Sequence, residues 1–185
     1  MMLALAYTSF GQFNTGSVYF TGLTGANLGY ERITQITEFT TTSNNYIIYD
    51  LHLEGGYFIK NRFGIGGKIF TRDDHGSSIG LGGATGERTL FFGPTVRYYI
   101  PRDDDLQIYY YGNPYFGFGT YGSTLGVTAG IGVNYFLTER VAVEARGSYT
   151  FHRFFEEFFN ENTHTLMFEI GISLFFPSIT FFDQS

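Results

Sequence analysis

The chain has 185 residues, a net charge of −6 and no cysteine, but 22 Phe, 15 Tyr and 25 Gly. That length is enough for one domain with a sizeable core. The acidic balance argues against binding nucleic acid through its phosphates, and the lack of cysteine excludes disulfides and thiolate chemistry.

Met1 to Phe10, MMLALAYTSF, is an apolar run that ends in a small-x-small pattern, Ser9-Phe10-Gly11. It reads as the remnant of a secretory signal over residues 1–11, with Gln12 as the first mature residue. The competing reading is an ordinary apolar first strand. No apolar run reaches the roughly 18 residues of a spanning helix. A mean hydropathy of −0.04 leaves a membrane β-barrel open, because alternating strands average out.

From there on, a period of two recurs along the chain, and a sustained 3.6-residue period does not. Eight strands are predicted, over 17–30, 45–59, 63–72, 88–100, 106–119, 125–137, 141–152 and 164–176. Lys60-Asn61-Arg62, Pro101 to Asp105 and Thr138-Glu139-Arg140 are short turns. The connections 31–44, 73–87 and 153–163 are long, and only 120–124 breaks the alternation. Short turns at one end and long loops at the other suit a membrane barrel, and a sandwich does not require them.

Hairpin registers test the faces, because directly opposed residues lie on the same side of a sheet. Pairing Ile59 with Phe63 sets Glu54 against Lys68 and Asp50 against Arg72, two acids against two bases. Pairing Ile100 with Leu106 sets Arg97 against Tyr109. Pairing Leu137 with Val141 sets Asn134 against Glu144 and Gly132 against Arg146, a large residue facing a small one.

One face therefore collects Leu51, Leu53, Val127, Ile131, Val133, Val143, Ile170, Ile172 and Leu174. The other collects Asp50, His52, Glu54, Lys68, Arg72, Arg97, Tyr109, Asn134, Glu144, Arg146 and Glu169, together with Gly64, Gly66, Gly93, Gly130, Gly132 and Gly171. A water-exposed sheet face holds Lys, Glu, Thr and Gln rather than rows of glycine. Glycine fits where strands curve tightly around a crowded interior, and eight strands leave room only for side chains. The polar face is expected inside as a paired ionic network, since isolated buried charges are costly. The greasy face is expected to meet lipid.

These features resemble the small eight-stranded bacterial outer-membrane β-barrel proteins, the OmpA/OmpX-type barrel domains. The carriers are the turn and loop alternation, the stretch VNYFLTERVAVEARGSY with Glu144 and Arg146, and the last strand HTLMFEIGISLFF ending on Phe176. The resemblance covers about residues 13–176 and implies an all-β, antiparallel, up-and-down transmembrane barrel. It implies a bacterial outer-membrane location, a monomer, and a structural or surface-interaction role without catalysis or cofactor. Outer-membrane lipids and lipopolysaccharide, the barrel assembly machinery reading Phe176, and a surface or host protein at the loops are the implied partners. Residues 177–185 form a short tail that the family pattern lacks.

Other stretches carry residues with potential chemistry. His75-Gly76-Ser77 is similar to the His-x-Ser pair of outer-membrane lipid A deacylases, but it sits early in the chain and in a loop, so no catalytic residue is assigned. Asp73-Asp74 and Asp103-Asp104-Asp105 suit turns better than a cation site, so no metal is expected. Phe154 to Phe159 reads either as a short amphipathic helix at the membrane surface or as an aromatic girdle. The Thr-rich stretch from Glu31 to Ser43 extends the first two strands beyond the membrane. The alternatives are a narrow pore, a lipid-modifying enzyme, and a soluble lipocalin-like binder with Leu51, Ile131 and Ile170 inside.

Overall fold

The computed structural model describes residues 13–34, 41–74, 87–102, 105–118, 123–155 and 160–178. For residues 26–34, 41–50, 72–74, 87–89, 152, 154–155 and 160–163 it fixes the backbone path only. Eight strands run in chain order: β1 (Val18–Thr34), β2 (Thr41–Lys60), β3 (Phe63–Asp74), β4 (Glu87–Tyr99), β5 (Leu106–Phe118), β6 (Ser123–Phe136), β7 (Val141–Phe155) and β8 (Asn160–Phe176). Each pairs antiparallel with the next, and β8 pairs with β1, so the sheet closes into a barrel. This is the predicted fold class.

The stagger of that closure can be followed residue by residue. The row of partners Val18, Tyr57, Ile65, Val96, Gly112, Ala129, Tyr149 returns to β8 at Leu166. Val18 itself pairs with Phe176, ten residues further along the strand. Shear and strand number together set the tilt and the radius, and eight strands leave an interior only side-chain wide.

The curvature shows where glycine is required. A Cβ on Gly171 would sit 2.0 Å from the Gly22 carbonyl, and one on Gly93 would sit 2.0 Å from the Pro114 carbonyl. Neighbouring backbones come too close there for any side chain.

Two of the three short turns match the expected register, with local differences. Glu54 lies opposite Lys68 and Asp50 opposite Arg72, but a bulge replaces the Ile59–Phe63 pair by Lys60–Phe63. Asn134 lies opposite Glu144 and Gly132 opposite Arg146. This turn is tied by Thr138 Oγ1, which accepts from the Arg140 and Val141 amides at 3.2 and 3.1 Å.

The middle turn differs. Arg97 lies opposite Tyr111, and Tyr99 opposite Tyr109, a slip of two residues from the expected pairing. The cause is a wider turn: Ile100 N donates to Ile108 O, and Gln107 Nε2 donates to the Arg102 carbonyl, so Leu106 is left to pair across β6 with Tyr135. A slip of two preserves parity, so every face assignment survives it.

At the long-loop end the first two strands run on into the Thr-rich stretch, as expected of it. β1 and β2 stay paired out to Thr34 and Thr41. Threonine-rich sequence lacks apolar alternation but is favoured on a pleated surface.

Candidate functional site

The faces are inverted relative to a soluble protein. Leu51, Leu53, Ile131, Ile170 and Ile172 are each more than half exposed, as are Phe168 and Leu166, while His52, Glu54, Lys68, Glu144, Arg146 and Glu169 are all buried and Arg97 is inaccessible. Val127, Val143 and Leu174 are also exposed on the outside, and Val133 is half-buried there. Leu51, Ile131 and Ile170 therefore line no internal pocket, which removes the lipocalin-like alternative. On the outer wall, Gly22, Gly55, Gly67 and Pro94 floor a shallow apolar depression of about 1090 Å³ between Phe20, Leu53, Ile69 and Phe92.

The interior is layered. At the short-turn end, β2, β4, β6 and β8 each send in one aromatic ring: Phe58, Tyr99, Phe136 and Phe175. Phe13, from the segment before β1, sits among all four, with ring centroids 4.3 to 5.8 Å away. Next comes a four-charge layer built around Glu144 and Glu54. Glu144 accepts from Tyr109, Ser173 and Arg146, from Arg97 Nη1 at 3.3 Å and from Thr21 at 3.3 Å. Glu54 accepts from Arg97 Nε at 2.7 Å, Thr95 at 3.1 Å and Tyr19 at 3.3 Å, and its other oxygen lies 2.8 Å from Arg146 Nη1.

The two guanidinium groups also lie against aromatic faces, Arg97 over Tyr19 at 4.4 Å and Arg146 over Tyr111 at 4.9 Å. Such contacts strengthen once water is excluded.

A second charge layer follows. Glu169 meets His52 Nδ1, accepts from Lys68 Nζ at 3.4 Å, and accepts from the Tyr111 hydroxyl at 3.3 Å. Above it Phe70, Phe91 and Tyr115 close a second aromatic layer, with Phe70 and Phe91 stacked at 4.6 Å. Among the described residues, three buried carboxylates thus match three buried cations between two aromatic lids. Each missing partner would leave a charge in low dielectric.

The rings lie over glycine. A Cβ on Gly132 would fall 2.1 Å from Tyr109, and one on Gly126 would fall 2.2 Å from Tyr115. Both are directly opposed cross-strand pairs. Glycine on one strand is what lets the neighbouring tyrosine lie flat along the wall.

Sequence reasoning places most of these residues on the inner face, where they lie, but it pairs them wrongly in one respect. Glu54 is opposed to Lys68 in register, yet Lys68 bonds Glu169, and Glu54 bonds the two arginines. Long side chains in a narrow lumen reach across it rather than along the ladder. The side chains of Asp50 and Arg72 lie outside the described residues. Asn134 is buried and donates to Tyr99 at 3.5 Å. Thr21, Ser173, Tyr19 and Tyr99 were missed, although strand parity alone would have put them inside; Thr95 lies on the Arg97 face, as parity predicts. Phe13 was missed because it precedes the first alternating stretch.

Phe176 ends β8 opposite Val18, half exposed, with its ring 6.1 Å from that of Phe20. His75, Ser77, Asp103 and Asp104 lie outside the described residues, as do residues 1–12, 156–159 and 179–185. Asp73 and Asp74 end β3, and Phe154 and Phe155 end β7 as strand. Among the described residues, no three His, Asp or Glu are grouped to hold a metal ion.

This architecture is that of the small eight-stranded outer-membrane β-barrel proteins. No protein-family model matches the chain, and no curated protein matches it. Among solved structures it is similar to the outer membrane protein OprG from Pseudomonas aeruginosa, with a TM-score of 0.60 and 12% identity over 89% of this chain and 98% of that one. It is similar to Neisserial surface protein A, with a TM-score of 0.57 and 12% identity over 86% and 98%. A third is the outer membrane protein AlkL, solved in lipid bilayers, with a TM-score of 0.50 and 12% identity over 92% and 95%. At such identities the likeness is one of fold.

Proposed function

We propose that the chain is an integral protein of the bacterial outer membrane, a monomeric barrel closed by its own side chains. Its role is structural or surface-interacting, without catalysis. The observation that carries this reading is the filled lumen: two charge-compensated layers sealed by two aromatic layers, inside a wall whose outer face is apolar. Such an interior holds the barrel's shape and leaves activity to the long-loop end. In this reading the short turns face the periplasm, lipid and lipopolysaccharide surround the belt, and Phe176 serves the assembly machinery.

The surface role rests on β2. It pairs with β1 from Thr41 onward, but its pairing with β3 begins only at Tyr49. Among the described residues, β1 and β2 thus run on as a paired hairpin past the β2–β3 ladder. A hairpin that projects this far offers a strand surface to an extended segment of another protein.

Single-channel recording in planar bilayers tests the closed lumen. The expected result is no steady conductance above the bare membrane. A stable ohmic conductance would overturn the plug and favour the narrow-pore reading.

A further inference from the structure

We propose that Phe13 to Ser17 is a latch that locks the closing seam of the barrel. These residues belong to no strand, yet they touch four of them. Phe13 is 2% exposed and, among the described residues, is the one ring that contacts Phe58, Tyr99, Phe136 and Phe175 together. Those residues come from β2, β4, β6 and β8, so the full nest exists only once the sheet has closed.

The backbone holds the segment from three sides. Gly16 N donates to Phe58 O at 2.7 Å, and Phe58 N donates to Ser17 O at 2.8 Å, which fastens it to β2. Arg62 N donates to Phe13 O at 2.8 Å, and Tyr99 N donates to Arg62 O at 2.9 Å, which carries the tie on to β4. Arg62 makes both bonds from a left-handed backbone conformation, with φ at 67°. On the far side Ser178 N donates to Ser17 Oγ at 3.2 Å, one step beyond the Val18–Phe176 pair that closes β1 on β8. The N-terminal segment thus bridges both strands of the seam and the first turn. The seam joins the two strands most distant in sequence, so its closure costs the most loop entropy.

The latch rests on the barrel fold and not on the membrane or surface role, so its test can fail while those stand. The full chain is refolded in detergent, and unfolding in denaturant is timed by loss of the folded gel band. Phe13→Ala should unfold at least about tenfold faster than wild type, since a buried ring is lost from a contact made late in folding. A second variant pairs Gly16→Cys with Ser178→Cys. A Cβ on Gly16 would lie 3.3 Å from Ser178 Cβ, a few tenths of an ångström inside the roughly 3.5–4.5 Å of disulfides, so a small outward shift brings the pair into range. The chain holds no other cysteine. Oxidised and reduced forms of this one variant share any strain at Gly16, whose φ is 86°, and oxidation should slow unfolding by about tenfold or more. If Phe13→Ala yields no folded barrel, the oxidised and reduced comparison decides. A Phe13→Ala rate within about twofold of wild type, or oxidation without effect, overturns the latch.

Discussion

Removing Glu144 strikes the centre of the interior. Its carboxylate is fully buried and accepts from Arg97, Arg146, Tyr109, Thr21 and Ser173. With Glu144→Ala the layer keeps two arginines and one carboxylate, Glu54, so one positive charge is left uncompensated between two aromatic lids. Breaking a buried pair in this way costs about 3–5 kcal/mol, because the remaining charge stays desolvated. That is roughly two to four orders of magnitude in the unfolding equilibrium. Denaturant titration of the refolded protein in detergent, followed by circular dichroism, reads the change. A second variant sharpens the test. Adding Arg97→Met to Glu144→Ala restores charge balance, leaving Glu54 with Arg146, so the double variant should lose less than the sum of the singles by at least about 1 kcal/mol. A Glu144→Ala loss below about 1 kcal/mol, or strict additivity, would refute an ion-paired plug and imply a wet, screened lumen.

Double-mutant cycles on Lys68 should show strong coupling to Glu169 and little to Glu54, although Glu54 is its opposed partner in register; the reverse would place the ion pairs along the ladder. Gly132→Ala should destabilise the barrel by about 1–3 kcal/mol in the same titration, because the new methyl occupies the place of the Tyr109 ring; an unchanged midpoint would show that the ring has room to move. Ile131→Arg should cost about 2–4 kcal/mol in lipid vesicles, as for a charge on a lipid-facing strand near the midplane. A loss within about 0.5 kcal/mol would put that face in water.

The sequence makes the wall of this barrel more legible than its contents. Alternation in stretches such as IYDLHLEG separates Leu51 and Leu53 from His52 and Glu54, and short turns then pin the registers of β2–β3 and β6–β7. The rows of inward glycine were also readable as a sign of curvature, and Gly132 beneath large neighbours follows from one pairing. The middle register slipped because the turn after Pro101 is widened by a side-chain bond from Gln107 that no turn rule anticipates. The ion pairs were not legible for a different reason. Ladder partners are neighbours in the wall, whereas Arg97, Arg146 and Glu54 meet across the lumen, and strand order alone gives no distance through the centre. Phe13 carries no pattern at all, since its neighbours do not alternate and its contacts form only in the closed barrel.

The most direct test of the inverted barrel is electrophoretic. The chain from Gln12 onward is refolded in detergent and run in SDS with and without boiling. A barrel with its charges sealed inside and its aliphatic face in detergent should resist SDS and shift mobility only when boiled. Identical mobility in both lanes, with good solubility in plain buffer, would contradict it, and would put Leu51, Ile131 and Ile170 against a core rather than a membrane.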